Sequence, residues 1–172
     1  MKALISIGSN LGEPIENCLR AVEVLHEKVV SISSLYETSP VETIEEQRSY
    51  INLSAIIETS YRPLELLKYL QGIEEYFDRR RPHYHAARTM DIDVISLDES
   101  VESESDLIIP HPRSAMRLFV LLPTYEIAPQ LAHELASKEA SQFLRVLDVG
   151  ETLVARLEGE IQKITRITAR SF

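Results

Sequence analysis

ARTMDIDVI, residues 87–95, is the stretch on which the reading of this chain turns. Val94 and Ile95 close it as a buried strand would, yet two aspartates interrupt it. Side chains alternate along a strand, so Asp91 and Asp93 share one face, about 6.6 Å apart along the chain, while Met90, Ile92 and Val94 point the other way. Neighbouring carboxylates repel each other. Either solvent screens them on an outer face, or something positive holds them ionised, for which a hard divalent cation is the usual choice. The pattern alone allows both readings.

Working outward, the residues before this strand supply three more strands and two helices. ALISIG (3–8) is a short apolar run ending at a glycine, hence a strand and a turn. After SNLGEP (9–14), Ile15, Leu19, Val22 and Leu25 recur at helical spacing, with Glu13 and Pro14 suited to a first turn. VVSISSLYET (29–38) and YINLSAIIET (50–59) read as two strands on either side of the polar SPVETIEEQRS. In the second, Ile51, Leu53 and Ala55 share one face and Tyr50 and Asn52 the other. Pro63 opens a second helix with Leu67, Leu70, Ile73 and Phe77 inward, and Gln71 and Glu74 three apart on a shared face. The order βαββαβ predicts an α+β, ferredoxin-like sandwich: an antiparallel sheet with two helices on one side. Beyond it, residues 114–126 and 135–147 read as helices, the tail from Val149 is ambiguous between helix and strand, and the expectation is a C-terminal helical extension. One domain, 1–172, is expected, with a catalytic core over 1–130 and the extension over 131–172.

Composition narrows the function. The chain has 172 residues, 44% of them hydrophobic, enough for a sizeable core. No apolar run reaches about 18 residues and MKALISIGSN enters a strand without a cleavage signal, so a soluble, cytoplasmic protein is expected. Cys18, the single cysteine, falls in register with Ile15, Leu19 and Val22 as a small core residue, which leaves no disulfide or thiolate cluster. Acids outnumber bases 27 to 18, against a general nucleic-acid surface. Yet Arg79, Arg80, Arg81, Arg88, Arg113 and Arg117 are six of the 13 arginines, gathered around the aspartates with His83, His85 and His111. An acidic chain with a local arginine cluster points to a small polyanionic ligand, or to surface arginines paired with glutamates. GSNLGEP (8–14) lacks the GKS/T ending and the GxGxxG spacing of nucleotide-binding turns, so Gly8 and Gly12 read as turn residues. Bound ATP would depend on magnesium and arginine instead.

Taken together, ISIGSNLG (5–12), LYETSPV (35–41), YINLSAIIET (50–59), LLKYLQGIE (66–74), RRRPHYHAARTMDIDVI (79–95), IIPHPR (108–113) and RLFVLLPTYEIAP (117–129) resemble, in order and spacing, the 6-hydroxymethyl-7,8-dihydropterin pyrophosphokinase family of folate biosynthesis. The resemblance implies transfer of the β,γ-pyrophosphoryl group of ATP to the pterin's hydroxymethyl oxygen, giving the pterin diphosphate and AMP. It implies a catalytic set of Arg79, Arg81, Arg88, Asp91 and Asp93, with Asp91 and Asp93 binding two magnesium ions. Arg81, Arg88, His111 and Arg117 would meet the triphosphate, Arg79 and Arg81 lie on a loop that closes over ATP in the family, and Gln71 and Glu74 would line the nucleotide site; Arg113, one helical turn before Arg117, would add to the same phosphate field. Arg80 is expected to be a solvated neighbour. The pterin would lie between Tyr50 and Phe119, with Thr38, Asn52, Asp91 and backbone groups near Val41 on its edge. No residue is an obvious general base, and the expected partners are these two small molecules, with no nucleic acid, no membrane and a monomer or weak dimer.

Departures from the family pattern are Glu42 and Asp78 where glycine is frequent, His85, Ala87 in place of proline, and Leu118 beside Phe119 in place of a small residue. They bear on rate, loop closure and the width of the pterin slot. Two other classes remain open: an aspartyl phosphotransferase of the haloacid dehalogenase type, whose nucleophile would be the first aspartate of DIDVI, and a ferredoxin-like RNA-binding module. A catalytically impaired homologue is a further alternative.

Overall fold

The computed structural model describes residues 1–41, 47–77, 89–98, 107–147 and 151–167. Its elements are β1 (Lys2–Ser9), α1 (Pro14–Val24), β2 (Val29–Ile32), β3 (Leu35–Thr38), β4 (Tyr50–Glu58), α2 (Pro63–Tyr76), β5 (Asp91–Leu97), α3 (Leu118–Ile127), α4 (Pro129–Leu135), β6 (Thr152–Leu157) and β7 (Glu160–Ile167), with single 3-10 turns at Ser114–Met116 and Ala140–Phe143. The strands form one antiparallel sheet in the order β5-β1-β4-β3-β7-β6, with β2 also paired to β4. Its first part, β5-β1-β4 followed by β2 and β3, is the ferredoxin-like arrangement expected from the sequence.

One face of the sheet is apolar. Ile5, Ile7, Leu53, Ala55, Ile92 and Val94 are buried there beneath Cys18, Ala21 and Leu25 of α1 and Leu66, Leu70 and Ile73 of α2. Leu66 is fully buried where the spacing had favoured Leu67, and Leu19 of α1 is 44% exposed because Cys18 and Ala21 occupy the contact line instead. Truncating a fully buried leucine such as Leu53 removes both transfer energy and packing, a loss of about 2–5 kcal/mol.

The other face carries polar residues at its centre, and α3 packs on it, so helices cover both sides rather than one. Leu4, Ile95 and Val120 form a small cluster there, while Tyr36, Leu118, Leu121, Ala132, Ala155, Leu157 and Ile164 form a larger one under the C-terminal elements. The run 29–38, expected as one strand, is two. Between Ile32↔Ala55 and Tyr36↔Asn52 the pairing register advances by one residue, and Ser33 absorbs the extra residue by accepting the Ser54 N–H on its hydroxyl (3.0 Å). That step turns Tyr36 and Thr38 toward the polar face.

The helices expected over 114–126 and 135–147 are both interrupted. Arg117 is extended (φ −98°, ψ 101°) and breaks the first into a 3-10 turn and α3. In the second, α4 ends at Leu135, the Ser137 N–H bonds the Ala115 carbonyl across the chain, and only a 3-10 turn follows. The C-terminal extension is therefore helical only at its start. Its tail is a β-hairpin in which Leu157↔Glu160 closes a two-residue turn with positive φ at Glu158 (49°) and Gly159 (85°), the type I′ geometry that matches strand twist. A cluster joins this hairpin to the core: Glu126 accepts from the Tyr36 hydroxyl (2.8 Å), the Ser34 amide and hydroxyl (3.0 and 2.8 Å) and Arg166 Nη2 (2.7 Å).

Cys18 sits in the core as expected, its thiol donating to the Ile51 carbonyl (3.5 Å) and burial pushing its pKa up to about 12. A maleimide at pH 8 should therefore label Cys18 only at the rate of unfolding, and labelling complete within minutes in native buffer would contradict this packing.

Candidate active site

Strand register builds the site. Asp91 pairs with Gly8, Gly8 with Asn52 and Asn52 with Tyr36, so one row crosses four strands; the next row holds Asp93, Ser6 and Ser54. Tyr50 pairs with Thr38 at the end of the same face. A cleft opening to solvent is lined by Ser6, Gly8, Thr38, Ser39, Val41, Tyr50, Asn52, Asp91, Asp93, Arg117 and Phe119. The aspartates thus lie on the outer, solvent-reaching face while Ile92 and Val94 are buried behind them, as alternation required.

Gly8 is not the turn residue that its sequence suggested; Gly12, at φ 65°, is. Gly8 lies within β1, where a Cβ would stand 2.8 Å from Asn52 Oδ1. Its missing side chain lets the Asn52 carboxamide lean across the strand. Asn52 is 4% exposed, and its Nδ2 donates to Thr38 Oγ1 (2.8 Å), which fixes Oδ1 toward Gly8 and the cleft.

The loops flanking the cleft are tied down by the end of β1 and the start of α1. Ser9 Oγ and Asn17 Nδ2 both donate to the Thr89 carbonyl (2.6 and 3.3 Å), just before the aspartates. Asn10, 1% exposed, donates from Nδ2 to Gln47 Oε1 (3.2 Å) and the Arg48 carbonyl (3.4 Å), and the Tyr50 hydroxyl also donates to Gln47 (3.0 Å). These anchoring roles of Ser9, Asn10 and Asn17 were not legible in the sequence, because each depends on a partner far away in the chain.

Of the other expected residues, Arg117 lies against the Phe119 ring, 5.4 Å from its centre, and both reach the cleft. Arg113 is exposed, and the single turn that joins it to Arg117 is 3-10 rather than α-helical. Gln71 is exposed on α2, whereas Glu74 is 2% exposed and accepts the Ile92 N–H (2.8 Å) at the open edge of β5. Glu74 therefore braces the backbone between the two aspartates, and neither residue is among those lining the cleft. Arg79, Arg80, Arg81 and Arg88, with His83, His85, Asp78, Ala87 and Glu42, lie outside the described residues. Leu118, the first residue of α3, is fully buried and is not among the residues lining the cleft.

Among the described residues no three of His, Cys, Asp and Glu cluster as a metal-binding set. A pair of aspartates on one strand face fits magnesium none the less, because this ion keeps waters and phosphate oxygens around one or two protein carboxylates. His111 is half-buried beside the pair. Desolvation lowers its pKa below 6.5, Arg117 and Arg113 lower it further, and Asp93 and Asp91 oppose them. Its Nδ1 accepts the Arg113 N–H (3.3 Å), which leaves the proton of the neutral ring on Nε2.

Fold and cleft together define a small-ligand α+β protein in which a carboxylate pair, an arginine, an aromatic ring and a buried amide converge. The family model of 7,8-dihydro-6-hydroxymethylpterin-pyrophosphokinase matches residues 4–129, and the chain belongs to that family. It is 41% identical over 145 residues to the 2-amino-4-hydroxy-6-hydroxymethyldihydropteridine pyrophosphokinase of Bacillus subtilis, covering 81% of this chain and 86% of that protein. It is 35% identical over 133 residues to the protein of the same name from Haemophilus influenzae, covering 75% and 82%. With the bifunctional protein FolKE of Lactococcus lactis it shares 32% identity over 172 residues, which is 93% of this chain and 49% of that one. The crystal structure of Plasmodium falciparum HPPK-DHPS has a TM-score of 0.57 over 83% of this chain and 44% of that chain at 16% identity, a likeness of fold. No helix among the described residues is long and apolar enough to cross a membrane.

The sign of the His111 shift gives a test. Its neutral form is the folded one, so the stability it confers is fully present above about 6.5 and is lost as pH falls through the lowered folded value. Proton NMR should give a midpoint for His111 below 6.5, and Asp93→Asn, by removing the charge that favours the imidazolium, should lower it further; a rise in the variant would contradict the arrangement.

Proposed function

We propose that this chain catalyses the reaction of its family's name, moving the pyrophosphoryl group of ATP onto the hydroxymethyl oxygen of 6-hydroxymethyl-7,8-dihydropterin, and that residues 1–172 act as one catalytic domain. The observation that carries the reading is the row Asp91, Gly8, Asn52: phosphate-type and heterocycle-type recognition lie two strands apart on one rigid sheet. A flat bicyclic ring gains most from two stacked faces, and Tyr50 and Phe119 both line the cleft. Asn52 Oδ1 then meets an N–H on the ring edge, with Thr38 and the backbone near Val41 beside it.

Asp91 and Asp93 would hold the magnesium ions, whose chemistry is to neutralise and align the triphosphate. Arg117 adds positive charge from α3's start, and the neutral His111 donates from Nε2. Arg79, Arg81 and Arg88 complete the phosphate field in this proposal, and Gln71 and Arg113 remain at its margin. In the reaction the hydroxymethyl oxygen forms a bond to the β-phosphorus, the bond from that phosphorus to the AMP oxygen breaks, and the hydroxyl proton leaves to solvent or a phosphate oxygen. Position and charge supply most of the acceleration in such a step, so it can run without a dedicated general base. An aspartyl phosphotransferase would place its nucleophile on the first strand of a parallel sheet; here the aspartates stand on the edge of an antiparallel one.

Pterin-dependent release of AMP from ATP and magnesium should be seen with the wild type and fall by at least about 100-fold in Asp93→Ala, since removing a metal carboxylate unseats the phosphates. A folded wild type that releases no AMP would overturn the proposal. Gly8→Ala should raise the pterin KM by about tenfold or more, because the new Cβ displaces the Asn52 carboxamide; an unchanged KM would remove Asn52 from the site.

A further inference from the structure

The family match ends at residue 129, yet the hairpin at 152–167 reaches the cleft walls from behind. Gln162 of β7 is 5% exposed, and its carboxamide spans the break before α3: Oε1 accepts the Leu118 N–H (2.9 Å) and Nε2 donates to the Met116 carbonyl (2.8 Å). Leu118 is the first residue of α3, so its N–H has no partner within the helix. The two bonds bracket Arg117 and hold it extended between two helical turns, the conformation from which Arg117 and Phe119 both reach the cleft. The same hairpin grips the opposite wall. The Ser39 N–H donates to the Lys163 carbonyl (2.8 Å), the Lys163 N–H donates to Ser39 Oγ (2.9 Å), and Thr38 pairs with Ile164.

We infer that Gln162 is a positioning residue of the active site: its carboxamide sets the Arg117–Phe119 segment, and with it the triphosphate arginine and one face of the pterin slot. This rests on the functional reading above. An unbroken helix over 114–126, the arrangement the sequence favours, would carry the Leu118 amide into an intrahelical bond and rotate Arg117 and Phe119 away from their present directions.

The test compares Gln162→Leu, which keeps the bulk and removes both bonds, Gln162→Glu, which keeps the acceptor for Leu118 and loses the donor to Met116, and Thr152→Ala. Thr152 shares the hairpin, and its hydroxyl bonds the Thr165 hydroxyl at its exposed edge (2.6 Å). Each full-length variant is assayed well below its own Tm for kcat and for the KM of ATP and of the pterin, and Leu118 amide exchange is followed by NMR. Gln162→Leu should raise both KM values about tenfold and speed Leu118 exchange, Gln162→Glu should do so less, and Thr152→Ala should leave both KM values within about twofold. Unchanged KM values in a folded Gln162→Leu, or an equal rise in Thr152→Ala, would overturn the inference. Should Gln162→Leu fail to fold, the glutamate variant decides in the same way. Wild-type turnover separates the two failures: without it the functional reading falls, and with it only the role of Gln162 is at stake.

Discussion

Gly8 stands between Asp91 and Asn52, and the space of one absent Cβ is what allows the two to serve a common cleft. Any larger residue would push the Asn52 carboxamide off Thr38. The rest of the sheet is arranged around that close approach. One face is filled with Ile, Leu, Val and Ala and roofed by α1 and α2, which fixes strand register, because a slip of one residue would bury the aspartates and expose Ile92 and Val94. The polar face that bears the cleft inherits its geometry from the apolar one.

Precision at the site comes from atoms outside it. Glu74 holds the Ile92 amide between the aspartates, Ser9 and Asn17 hold Thr89 before them, and Asn10 holds the segment that leads into Tyr50. On the far wall, Gln162 and Ser39 tie Arg117, Phe119 and Thr38 to the C-terminal hairpin. Buried polar groups satisfied in this way limit motion of the cleft-lining residues, which suits a reaction whose rate depends on alignment of two substrates.

The parts of this arrangement that follow from local periodicity were legible in the sequence. Two-residue alternation placed Asp91 with Asp93 and Tyr50 with Asn52, and the order of elements gave the ferredoxin-like core. What depended on long-range contact was not legible. Gly8 looked like punctuation because a glycine after an apolar run usually is, and only its pairing with Asn52 explains it. The break at Arg117 is imposed by a glutamine 45 positions away in the chain, and Glu74 shares a helix face with Gln71 but lies under β5. The tail, ambiguous between helix and strand by its periodicity, carried a turn cue in Glu158–Gly159 between alternating residues.

The most direct measurement is a crystal structure of the full chain with 6-hydroxymethyl-7,8-dihydropterin, magnesium and a non-hydrolysable ATP analogue. The account predicts the pterin ring between Tyr50 and Phe119, a ring-edge N–H within about 3 Å of Asn52 Oδ1, and the phosphates over Asp91 and Asp93. A pterin bound away from β4, or phosphates that leave the two aspartates facing only water, would contradict it.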